Sequence, residues 1–168
     1  MTLGFSKITA AIWLAGLLSI AAPAIAESES KLIPEGDLRT LVPFGNDDIL
    51  KLAECEKKSY PTCTYVWGIF DSDDETRIKM GGRPDGEKLL TVFAQARRIE
   101  DFERVVSVTP DAQPVEDVGI IAIWSANRRQ LSLMTEDFLV IHVNVDARSI
   151  DDPKSSALQI ADYLMDQE

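Results

Sequence analysis

Two cysteines and one histidine are all that these 168 residues supply for thiolate or imidazole chemistry. A structural zinc site needs four ligands at close spacing, so that class is excluded. A dithiol redox couple favours C-x-x-C, and here seven residues separate Cys55 from Cys63 in CEKKSYPTC. The G-x-S-x-G elbow of serine hydrolases is missing, and GGRPDG is neither a phosphate-binding loop nor a dinucleotide fingerprint. Basic residues are also scarce, at 17 Lys and Arg against 28 Asp and Glu. That balance excludes nucleic acid and anionic membrane surfaces as main partners. Long apolar runs are lacking beyond the N-terminal stretch, so no later segment is expected to enter a membrane.

The N-terminus carries one positive charge, Lys7. An uncharged apolar run from Ile8 to Ala22 follows, then Pro23 and small residues at Ala24 and Ala26. This order reads as a signal peptide over 1–26 cut after Ala26, with the alternative of an uncleaved anchor. The apolar run is short for a membrane span, and no cysteine near the cut would take a lipid. We therefore expect a periplasmic or extracellular chain in which residues 27–34 are a loose tail and 35–168 form one domain. In an oxidising compartment the two cysteines are expected to pair, which makes Cys55–Cys63 a staple.

Along the domain, PEGDLRTLVP reads as a short helix between prolines, with Leu38, Leu41 and Val42 inward. DILKLAEC alternates as a strand. TCTYVWGIF (62–70) is rich in β-formers, with Cys63, Tyr65, Trp67 and Ile69 on one face. DSDDETRIKMGGRPDGEK reads as a polar connection. Its DSDDE does not fit a calcium loop, since Thr76 and Gly82 stand where Gly and Glu are required. KLLTVFAQA (88–96) is a strand, with Leu90, Val92, Ala94 and Ala96 toward the core and Leu89 and Phe93 opposite. RIEDFERVV (98–106) has helical spacing, and TPDAQPVED is a proline-bearing loop. GIIAIW (119–124), RQLSLM (129–134) and DFLVIHVNV (137–145) follow at short intervals and predict an antiparallel meander. Asp152 and Pro153 open a last helix whose stripe is Ala157, Ile160, Ala161 and Leu164. The expected fold is α+β: a twisted antiparallel sheet of about five or six strands, with N-terminal, middle and C-terminal helices mainly on one face.

His142 shares its strand face with Phe138, Val140 and Asn144, while Leu139, Ile141, Val143 and Val145 form the core face. A lone strand histidine is ordinarily structural or exposed. As a general base it would need a positioned partner. Trp67 and Trp124 read as core aromatics. If the second sheet face is open, Trp67, Phe93, Trp124 and Phe138, with His142, instead line a ligand or partner surface. The pairs Arg97–Arg98 and Arg128–Arg129 read as ordinary partners of the abundant acids, or as an anion site if the fold joins them.

CTYVW (63–67), VGIIAIW (118–124), RQLSLMTEDFLVIHVNV (129–145) and ALQIADYL (157–164) together resemble small exported bacterial domains of unknown function. These include secreted actinobacterial lipoproteins and the extracellular sensor domains of mycobacterial receptor kinases. The resemblance implies a twisted sheet backed by helices in a ligand-sensing or accessory role, with no catalytic motif to carry over. The chain departs from many of these domains in lacking a lipid-attachment cysteine. The expected function is thus a non-catalytic exported binding or accessory domain, acting on another exported protein or a small ligand, with no cofactor or metal. The alternative is a small secreted hydrolase using His142 with nearby acids.

Overall fold

Seven strands form one antiparallel sheet in a computed structural model that describes residues 32–56, 60–82 and 85–166. The expected signal peptide, its expected cleavage site and most of the expected tail lie outside the described residues. In chain order the elements are α1 (Glu35–Leu41), β1 (Ile49–Glu56), β2 (Thr62–Gly68), α2 (Ser72–Lys79), β3 (Glu87–Gln95), α3 (Glu100–Ser107), β4 (Ala112–Val115), β5 (Ile121–Ser125), β6 (Gln130–Met134), β7 (Leu139–Asp146) and α4 (Pro153–Asp166). The strand order is β1-β2-β3-β7-β6-β5-β4. After β3 the chain therefore crosses to the far edge, and the meander β4 to β7 brings it back beside β3.

Alternation along each strand builds two cores. Cys63, Tyr65 and Trp67 of β2 align with Thr91, Leu89 and Glu87 of β3. Leu89 and Phe93 in turn face Val145 and Ile141 of β7. With Leu131, Leu133, Ala122 and Trp124 they make the larger core, which Leu38 and Val42 near α1 and the stripe Ala157, Ile160, Ala161 and Leu164 of α4 cover. On the other face Phe102 of α3, with Val105 and Val106 beside it, packs on Ile123, Met134 and Val140. The helices are therefore divided between the faces rather than gathered mainly on one. β3 also reverses the expected sides, with Leu89 and Phe93 in the larger core and Leu90 and Val92 on the second face, half-buried. Both sides of β3 are apolar, so alternation by itself cannot choose between them.

Three further expectations are corrected. The loop TPDAQPVED contains β4, the seventh strand. Pro114 has no amide hydrogen to give a ladder, and β4 is an edge strand where that costs little. The polar connection after β2 contains α2, which buries none of its residues. Its start is fixed by the Asp71 side chain, which accepts from the backbone N–H of Asp73 and Asp74. The strand 62–70 stops at Gly68, whose φ of 145° turns the chain out and leaves Ile69 exposed.

Two contacts fix the ends of the domain, one to the sheet and one between the first and last helices. Ile33, placed by the sequence in the tail, is buried, and its N–H donates to Tyr65 Oη at 2.8 Å. Tyr163 Oη of α4 donates to Asp37 Oδ2 of α1 at 2.7 Å. The disulfide Cys55–Cys63 joins directly opposed residues of β1 and β2, so the staple expected from the sequence is present.

Candidate functional site

His142 lies near the middle of β7. Its position on the second face is set by register, opposite Val92 of β3 and Ser132 of β6. The row above it holds Asn144, Leu90 and Gln130. The row below holds Val140, Ala94 and Met134, where α3 packs. α3 reaches only the end of β3 on this face, through Ala94, while Leu90 and Val92 stay half-buried.

His142 Nδ1 is 2.8 Å from Ser132 Oγ and 3.4 Å from Gln130 Nε2. Gln130 Nε2 itself donates to Ser132 Oγ at 3.0 Å. Ser132 is only 2% exposed, and among the described residues its hydroxyl hydrogen has no acceptor other than Nδ1. A buried hydroxyl left unpaired costs about 1–3 kcal/mol, so the hydroxyl donates to Nδ1. Burial pushes the imidazole below the ordinary histidine value of 6.5, and the ring is neutral at pH 7. Among the described residues nothing hydrogen-bonds Nε2, the ring nitrogen farther from the backbone.

Among the described residues this arrangement shows no catalytic pairing at His142. No described carboxylate is hydrogen-bonded to His142, and Ser132 Oγ, the one hydroxyl on the ring, is too enclosed to reach a substrate. What the ring can do is hold a neutral polar group on an otherwise largely aliphatic part of the sheet.

The other aromatic candidates are not brought to that face. Trp67, Phe93 and Trp124 are buried in the helix-covered core. Trp67 stacks on Phe44 with ring centroids 4.9 Å apart, and Arg39 caps the Phe44 ring at 4.6 Å. Phe138 lies in the β6–β7 turn at φ 61°, more than a third exposed. The five residues therefore do not form one surface. Nor do the arginine pairs converge. Arg98 pairs with Asp101, while Arg128 and Arg129 donate to the carbonyls of Val108, Ala147 and Ile150 at the opposite end of the sheet. Asp71 of DSDDE serves its own helix, and no metal-binding group of three or more His, Cys, Asp or Glu occurs among the described residues.

Away from His142, a recess of about 610 Å³ opens where β2 and β7 end and β3 begins. Asp48, Asp85, Glu87 and Asp146 line it with Lys88 and Arg148. Gly86 is required in its wall, because a Cβ there would lie 2.5 Å from the Trp67 carbonyl oxygen. Its charges are of both signs, and none of its side chains is held in place by a network like that on His142.

Sequence reasoning missed Ser132 and Gln130. Their only signal was the alternation Gln130, Ser132, Met134 on the face of RQLSLM that turns away from Leu131 and Leu133. No protein-family model, no curated protein and no solved structure matches this chain.

Proposed function

We propose that this protein is an exported, non-catalytic binding or accessory domain whose contact surface is the part of the second sheet face around His142. One observation carries the reading: the Gln130–Ser132–His142 network is built into a sheet interior where aliphatic side chains would pack without polar partners to satisfy. Such a network costs desolvation and adds little to stability by itself, so a contact made by the ring accounts for it best. The cross-strand disulfide is compatible with an oxidising, exported setting. The rival reading, a hydrolase using His142, lacks both an acid and an exposed hydroxyl hydrogen-bonded to the ring among the described residues.

The test uses the chain from Glu27 onward, tagged and crosslinked in its own cells. Capture is compared with that by Val92→Arg and His142→Ala. Val92 is half-buried beside His142, so an arginine there blocks the face without entering the larger core. A partner or ligand held by the parent chain and lost from both folded variants supports the proposal. Equal capture by all three sinks this surface. Turnover that His142→Ala abolishes would restore the hydrolase.

A further inference from the structure

We infer that Ser132 and Gln130 are positioning residues that hold His142 in the tautomer protonated at Nε2, so that the proposed surface presents an N–H donor and no acceptor at this point. The functional meaning rests on the contact surface proposed above, but the tautomer stands on geometry alone. Gln130 Nε2 can only donate, and it lies toward both Ser132 Oγ and His142 Nδ1. A proton on Nδ1 would point into these donors. With Gln130 giving its hydrogen to Ser132 Oγ, the serine has one hydrogen to give onward, and Nδ1 is the acceptor at 2.8 Å. The chain of donation therefore runs from Gln130 to Ser132 to Nδ1 and leaves the ring proton on Nε2. No charged side chain competes from the neighbouring strand positions. The three-strand row across β3, β7 and β6 at His142 holds Val92 and Ser132, and the rows beside it hold Leu90, Asn144, Gln130, Ala94, Val140 and Met134.

The relay can be reversed by one substitution, which separates positioning from packing. Gln130→Glu replaces the amide donor with a carboxylate acceptor. Ser132 then donates to the new carboxylate, Oγ becomes an acceptor, and the ring proton moves to Nδ1. Ser132→Ala, nearly the same size, removes the relay and leaves only the Gln130 amide, 3.4 Å from Nδ1, so the preference for the Nε2 tautomer weakens.

The measurement is nitrogen-15 NMR of the imidazole in the intact domain at a pH where the ring is neutral. It needs no ligand, so its outcome is independent of whether the contact surface is correct. In the parent chain, Nε2 should show a protonated, pyrrole-type shift and Nδ1 an unprotonated one. Ser132→Ala should draw the two shifts together, and Gln130→Glu should exchange them or protonate both nitrogens. The backbone amide spectrum establishes that each variant is folded. The inference fails if the parent proton is on Nδ1, or if the folded Gln130→Glu variant keeps the parent pattern.

Discussion

Tyr65 shows how much one side chain can hold. It is fully buried in β2, and its hydroxyl accepts from the backbone N–H of Ile33, anchoring the chain ahead of α1. Burial pushes its ionisation up to about 12, partly offset by that N–H and raised slightly by Tyr163. Removing the hydroxyl leaves a buried amide without a partner, which costs about 1–3 kcal/mol. Tyr65→Phe should therefore lower unfolding stability by that amount and loosen hydrogen-exchange protection at Ile33. In an alkaline absorbance titration, the phenolic step near pH 12 should disappear with the substitution. The sign at high pH is also fixed. A phenol whose folded value lies above its unfolded 10 contributes stability that is full below pH 10 and lost as pH rises toward 12. An unchanged urea midpoint in Tyr65→Phe would mean that Ile33 is held by packing alone.

At the scale of elements, the strands and helices with one-sided patterns were legible and those held by other means were not. The stripe of α4 and the alternation of β7 appear as expected, because each buries one face. α2 was hidden because it has no apolar stripe; caps and charge hold it, from Asp71 at its start to Arg77 and Lys79 at its end. β4 was hidden by Pro114. The His142 network was hidden by a turn. A two-residue connection of Thr135 and Glu136 would set Ser132 opposite Leu139, whereas Met134 pairs with Val140 and Ser132 therefore meets His142. Phe138, in the left-handed region, takes up the extra length, a conformation a phenylalanine sequence does not advertise. The β1–β2 pair gives the prediction at this scale. Its disulfide closes a ring spanning a sequence separation of 8. Loop closure of that length restricts the unfolded chain by about 2.5 kcal/mol in the entropic account. The double variant Cys55→Ala, Cys63→Ala should lose about that much in urea denaturation while keeping the fold. Because β1 is an edge strand, its amides should lose more exchange protection than those of β7. Equal loss throughout the sheet would show that β1 and β2 unfold only with the whole domain.

For the whole molecule, acidification brings two opposing trends. With 28 acidic and 17 basic residues, lowering the pH from neutrality first relieves self-repulsion and favours the compact state. His142 acts the other way. Its folded value is pushed below 6.5 by burial, while the unfolded chain titrates near 6.5. Above that value both states are neutral at this residue and it contributes no slope. Below it, the unfolded chain takes up a proton that the folded ring refuses, so stability falls with pH until the folded value is passed. One proton gives at most about 1.4 kcal/mol per pH unit. The charged strand positions on the same sheet face are Asp146 on β7, Lys88 on β3, and Glu54 and Glu56 on β1. All lie beyond the residues in contact with the ring, so they shift the slope little. His142→Gln removes the titrating group and leaves the general charge balance intact. The difference between the two chains' urea midpoints should be constant above about pH 7 and then shift in favour of the variant as pH falls through about 6. The carboxylates Asp101 and Asp111, held below the usual range chiefly by the backbone N–H groups of Arg97 and Asn127, act only at lower pH and equally in both chains. Parallel curves from pH 7 to 5 would show that the folded ring takes up its proton as readily as the unfolded chain. In that case the enclosure by Ser132 and Gln130 does not hold His142 neutral.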